Sequence, residues 1–158
     1  MANKYLLPVF DEIYGEGFRY SDFNQRMEMQ KAIYLLQNMG VPVGEYGFRW
    51  YLHGPYSQSL QDDMYYENGK KYKKIILSKE YAESVKKLRE LVNSEKKGRY
   101  SAANWVECLA SIHYLKHNVL SFSASDKDVV EELEKRKSHL NDHAANMNAC
   151  QLVEESFA

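Results

Sequence analysis

Apolar residues recur at helical intervals along most of this chain. Over Lys4–Tyr14, Leu6, Leu7, Phe10 and Ile13 fall on one helical face, and Gly15 and Gly17 are placed to end it. Ser21 is a suitable cap for a second helix running to about Met39. Its apolar positions, Phe23, Met27, Tyr34 and Met29, Ile33, Leu36, follow three- and four-residue steps. Gly40 stands just past the helix end, and Pro42 blocks any continuation. At Tyr46–Leu52 the period changes to two. Tyr46, Phe48 and Trp50 face one way and Gly47, Arg49 and Tyr51 the other, as in a strand. His53-Gly54-Pro55-Tyr56 reads as a turn, and Ser57 caps a short helix through about Tyr66. Asn68-Gly69 signals another turn, and Lys73–Leu77 a second short strand. Ser78 caps a helix striped by Tyr81, Val85, Leu88, Leu91 and Val92. Ser101 starts another with Trp105, Val106, Leu109 and Ile112, and Ser125 one with Val129, Val130 and Leu133. The last, from about Ser138, carries Leu140, Ala144, Met147 and Leu152.

The expected fold is therefore mainly α: a compact multi-helix domain with a small two-stranded β-sheet. Its order of helix, strand, helix, strand with a basic hairpin makes the core winged-helix-like. The 158 residues suit a single domain, 1–158, with a core over about 20–78 and a helical C-terminal part over 79–158. From Arg99 onward there is neither Gly nor Pro, which leaves that part free to run as long helices.

Composition narrows the function classes. Twenty-one Lys and Arg against 22 Asp and Glu give a formal charge of −1, which disfavours a uniformly basic nucleic-acid or membrane-surface protein. Mean hydropathy is −0.61, and the longest apolar runs, such as Ile75-Ile76-Leu77, are too short to span a bilayer. Asp11 and Glu12 interrupt the apolar patch near the N-terminus, so it lacks the core of a signal peptide, and neither end shows a lipidation motif. With only two cysteines, Cys108 and Cys150, read as reduced, the expected location is cytoplasmic, with no membrane association.

Catalytic patterns are missing from the sequence. His113 and His117 are spaced i, i+4, as are His139 and His143, and two such pairs could in principle make a four-ligand site. No CxxC or HExxH accompanies them, so no metal ligand is assigned. Cys108 reads as a core residue beside Leu109. There is no Gly-x-Ser-x-Gly elbow, and Gly15-Glu16-Gly17 is too short and too acidic to cradle phosphate. No catalytic residue and no cofactor are expected. An unrecognised enzyme would need a deep pocket around a perturbed histidine such as His53.

One segment is more specific. Gln30-Lys31, Tyr34-Leu35-Leu36 and Gly40 are followed by Tyr51 through Ser57, with Leu60 and Asp63 after them. This pattern resembles the YwgA-like proteins and, more distantly, the SocA-like Panacea antitoxin domains, which share a "QK-x-x-YLL-x-x-x-G" helix, a strand and a "Y-x-GP" turn entering a helix. The resemblance covers about residues 26–63. It implies a helical domain with a small sheet, a mobile-element or defence setting, and neutralisation of a cognate toxin by direct binding. It brings no catalytic residues.

The expectation is thus a non-enzymatic regulator that binds a partner protein, antitoxin-like or defence-associated. Its candidate contact residues are Arg49, Trp50, Tyr51, His53 and Tyr56, types that dominate interface energetics. The alternative is a winged-helix-like DNA-binding regulator. There Lys70, Lys71, Lys73 and Lys74 contact phosphates and Tyr72 stacks on a base.

Overall fold

The computed structural model describes residues 3–121 and 123–157; the first two residues and the last, on which part of the N- and C-terminal reading rests, lie outside them. In chain order the elements are α1 (Leu6–Tyr14), α2 (Phe23–Asn38), β1 (Arg49–Tyr51), β2 (Gly54–Tyr56), α3 (Gln58–Glu67) and α4 (Lys79–Val92). A 3-10 turn, Glu95–Lys97, leads to α5 (Ala102–Tyr114), which continues as one π-helical turn, Leu115–Val119. Then come α6 (Asp126–Arg136) and α7 (His143–Ser156). The fold is mainly α, with one two-stranded antiparallel sheet among the described residues. No described helix is long and apolar enough to cross a membrane.

Helices α2 and α5 form the centre and pack extensively on each other. Met29 to Leu36 and Trp105 to His113 are buried without a break, so neither helix keeps a solvent face along that length. The outer helices obey the amphipathic pattern. Val85, Leu88, Leu91 and Val92 of α4 and Val129, Val130 and Leu133 of α6 point inward as their spacing predicts. A single apolar cluster joins α1 and α2 to α4, α5, α6 and α7. Cys108 sits in it as expected, with Sγ 3.3 Å from Asn146 Oδ1.

Ser57, Ser78, Ser101 and Ser125 all cap their helices through the side-chain oxygen. Two helix starts differ from expectation. Asp22, not Ser21, caps α2, accepting from Gln25 N at 3.2 Å; a carboxylate there also meets the positive end of the helix dipole. α7 begins at His143, not near Ser138. Leu140 N donates to Lys137 O to close a turn at 2.9 Å, and Asp142 caps the helix by accepting from Ala145 N. The face α7 buries is accordingly Ala145, Asn146, Ala149, Cys150 and Val153, with Ala144 exposed.

The sheet also differs. Tyr46–Leu52 does alternate, with Tyr46, Phe48 and Trp50 half-buried and Gly47, Arg49 and Tyr51 exposed. Its partner is not Lys73–Leu77, which forms no ladder, but Gly54–Tyr56, in the register Arg49–Tyr56, Trp50–Pro55, Tyr51–Gly54. The reversal is at Leu52-His53, so the Gly-Pro-Tyr stretch is a returning strand and not the turn itself. Residues 73–77 still alternate, with Ile75 and Leu77 half-buried against the core and Ile76 exposed, but their backbone has no sheet to join. With both strands adjacent, no helix lies between them, and the winged-helix order does not form.

One titrating group on α2 makes stability depend on pH. Burial, aided by the charges of Glu16 and Asp22, pushes the Glu28 carboxyl from 4.5 up to about 7. Between those values the folded chain keeps a proton that the unfolded chain releases. The group therefore favours folding below 4.5, and this contribution is lost as pH rises through 7. Glu28→Gln is expected to add about 1 kcal/mol of stability at about pH 8, well under the full linkage because the side chain is partly exposed. At about pH 4, where both states are protonated, the variant matches the parent. Urea unfolding at the two pH values checks this, and an equal gain at both rules out ionisation as the cause.

Candidate functional site

The hairpin β1–β2 and its flanking residues are held by side chains from α2 and from the end of α6. On α2, Gln37 Nε2 donates to Tyr46 O and Gln37 Oε1 accepts from Tyr46 N, both at 2.9 Å. Two turns earlier, Gln30 Nε2 donates to Ser57 O at 2.8 Å and Gln30 Oε1 accepts from Ser57 N at 2.9 Å. Each glutamine amide thus replaces one residue of a neighbouring strand. Beside Gln30, the fully buried Lys31 donates to Pro55 O at 2.9 Å. From the end of α6, Lys137 Nζ donates to Tyr51 O at 2.7 Å and also to Leu52 O. Burial lowers the Lys31 ammonium to about 7, a second positive charge at Lys137 adds to that, and Glu107 opposes it. Lys137 is lowered in the same way, by burial against the pull of Glu107.

Glu107, in the middle of α5, is the fully buried carboxylate facing these two amines. Its oxygens lie 3.0 and 2.9 Å from His139 Nε2, in the turn between α6 and α7, and Oε2 lies 3.9 Å from His53 Nδ1 at the hairpin reversal. Burial lowers the His53 pKa, Glu107 opposes it, and Lys31, Lys137 and His139 lower it further. His53 Nδ1 is buried without a hydrogen-bond partner. The His53, Glu107 and His139 ligand atoms all lie within 4.8 Å of one another, the one such trio of metal-binding side chains among the described residues.

The expected histidine pairs are used otherwise. His113 and His117 stack with ring centroids 4.2 Å apart, and His113 Nδ1 lies 2.7 Å from Tyr34 OH. Burial pushes His113 down to about 3, so it is a neutral core residue. His143 does not join His139; it opens α7 and lies 3.0 Å from Glu134.

Of the residues expected to contact a partner, Arg49 and Tyr51 are exposed and Tyr56 half-buried, with the Tyr51 and Tyr56 rings stacked at 5.2 Å. Trp50 is turned inward. It lies under Arg136 and Lys137, 5.3 and 4.9 Å from its ring, and 5.7 Å from Tyr114. His53 belongs to the polar cluster just described. The sequence reading missed Phe23, which it placed on the buried face of α2, and also Arg26, Leu52, Tyr65 and Tyr66 on the surface around the hairpin. The adjacent aromatics Tyr65-Tyr66 late in a short helix were the available signal, since both lie off the stripe set by Leu60 and Met64, the apolar residues α3 buries.

Lys70, Lys71, Tyr72, Lys73 and Lys74 lie on the extended segment after α3, not on a hairpin. Lys70 pairs with Glu67 at 2.8 Å, and Tyr72 OH donates to Asp11 at 2.9 Å. Between this segment and α1 is an open cleft of about 690 Å³, lined among others by Lys4, Tyr5, Pro8, Lys71 and Lys73.

Compared with protein-family models, with curated proteins and with solved structures, the chain matches nothing.

Proposed function

We propose that this chain works by binding another protein, as an antitoxin-like or defence-associated regulator, and catalyses no reaction itself. The observation that supports this most is a chain of exposed and half-buried aromatic rings around one half-buried guanidinium. Tyr65 meets Tyr20 edge-on at 5.5 Å, Arg26 lies 5.1 Å from the Tyr20 ring and 5.6 Å from Phe23, and Phe23 meets His53 at 5.4 Å. Phe23, Tyr51 and Leu52 are 53%, 56% and 77% exposed, a heavy apolar load for the surface of a free protein. Tyr, Phe and Arg are enriched in interface hot spots, and a hairpin clamped by Gln30, Lys31 and Lys137 is ordered before a partner arrives, which spares entropy on binding. The resemblance over residues 26–63 supplies the class of partner, a cognate toxin.

Affinity capture from the native host, followed by titration of the recovered protein, tests the reading. Tyr51→Ala with Leu52→Ser is expected to weaken that complex about 100-fold, while Lys71→Ala with Lys73→Ala leaves it within about twofold. A partner indifferent to Tyr51 and Leu52, or no stoichiometric partner, overturns it.

A second reading, DNA binding, is favoured by the lysine-lined cleft. It requires that Lys4, Lys70, Lys71, Lys73 and Lys74 changed to Ala weaken duplex binding and flatten its salt dependence.

A further inference from the structure

The polar cluster under the hairpin has a property that partner binding does not call for. Three side chains with metal-ligating atoms converge there from separate parts of the chain: His53 from the hairpin reversal, Glu107 from the buried helix α5, and His139 from the α6–α7 turn. We propose that His53, Glu107 and His139 are the protein ligands of a divalent transition-metal ion of the zinc type.

Four observations carry this. The donor set, two imidazoles and one carboxylate, is one that zinc accepts in three-ligand sites that keep a fourth position open. The geometry is close to that of a bound ion. Metal–ligand bonds of about 2.0–2.2 Å in a tetrahedron put neighbouring donor atoms about 3.3 Å apart. The observed separations from Glu107, 2.9 Å to His139 and 3.9 Å to His53, fall on either side of that, and all three ligand atoms lie within 4.8 Å of one another, so an ion would draw two half-exposed rings together around the carboxylate. Third, His53 Nδ1 is buried with no hydrogen-bond partner, 3.9 Å from the carboxylate, and a metal ion would satisfy it. Fourth, the backbone on both sides of His53 is already fixed. Lys137 holds the carbonyls of Tyr51 and Leu52, the two residues before His53, and Lys31 holds that of Pro55 just after it.

The same two ammonium groups lower the affinity by their charge, so the site is expected to bind in the micromolar range and not among the tightest structural zinc sites. An ion there would tie the hairpin to α5 and to the α6–α7 turn at once. Its open position would face the solvent side, where the His53 and His139 side chains are 43% and 44% exposed.

Calorimetric titration of chelator-treated protein with Zn²⁺, in a buffer that does not bind metal, tests the proposal, with thermal unfolding as a second readout. One saturable site and a Tm raised by Zn²⁺ are expected. His53→Ala and His139→Ala, both at half-exposed positions that tolerate truncation, should each weaken binding at least about tenfold and remove the Tm shift. Glu107→Gln should do the same, and His117→Ala should not. Mg²⁺, which prefers an all-oxygen shell, should give no comparable heat. Absence of saturable Zn²⁺ binding, or binding left intact in His53→Ala and His139→Ala, overturns the proposal and leaves Glu107–His139 as an ion pair only. Neither result bears on the Tyr51 and Leu52 complex.

Discussion

Gly54→Ala is expected to lower the unfolding free energy by about 3 kcal/mol, the larger part from backbone strain and the rest from a steric clash. Gly54 has φ +88°, a region that costs a residue with a Cβ about 1–2 kcal/mol. A Cβ there would also stand 2.3 Å from Ser111 Oγ on the buried face of α5, while Ser111 Cβ at 3.6 Å is at ordinary contact distance. The two contributions can be separated. Ser111 Oγ is buried and unpartnered, so Ser111→Ala alone should be neutral or slightly stabilising. In the double variant the clash is gone and about 2 kcal/mol of the loss remains. Urea unfolding of the four proteins gives the cycle. If Ser111→Ala recovers nothing, the close approach of hairpin and helix has no energetic weight.

Gln30→Ala is expected to cost about 3 kcal/mol and Gln37→Ala about 1 kcal/mol, although each removes two hydrogen bonds to one residue's backbone, with Gln30 losing in addition a longer one, 3.3 Å, to Gln61. The difference is burial. Gln30 and Ser57 are both closed to solvent, so truncation leaves the Ser57 N–H and C=O without water to replace the lost amide. Tyr46 and Gln37 are only half-buried, and water takes up much of their loss. Equal costs for the two variants would sink this account. In either variant, lost order at the hairpin should reach Tyr51 and Tyr56, visible as loss of dispersion in their ring resonances.

How much of this was legible in the sequence varies by element. The stripes on α4 and α6 were readable because those helices have a wet face, and the serines at 57, 78, 101 and 125 marked true boundaries because their caps are local. α2 and α5 were readable as helices, but not their full burial. A helix surrounded by others shows no polar face, so Lys31, Glu107 and His113 look like solvated residues when they are core. The alternation of residues 46–52 was visible, but its pairing partner was not, since a strand supported by glutamine side chains needs only three residues to answer it. Asp142 displaced Ser138 because the turn closed by Lys137 and Leu140 postpones the helix, a contact no spacing rule contains. The trio of His53, Glu107 and His139 was out of reach: its members lie on three elements, and i, i+4 spacing pointed to other histidines. Two of the stretches that carried the family resemblance, Gln30-Lys31 and Tyr51 through Ser57, touch each other, Gln30 at Ser57 and Lys31 at Pro55.

A ladder of three residue pairs is too short to persist in water by itself. The order of this hairpin is borrowed: its carbonyls and those of its flanks answer to amides and amines carried on α2 and, 86 residues away in the chain, at the end of α6. A peptide cut from residues 46–57 would therefore be an unstructured coil, and the segment's native amides cannot outlast the docking of α2 in hydrogen exchange. Grafting the loop onto another scaffold would transplant its letters but not its shape.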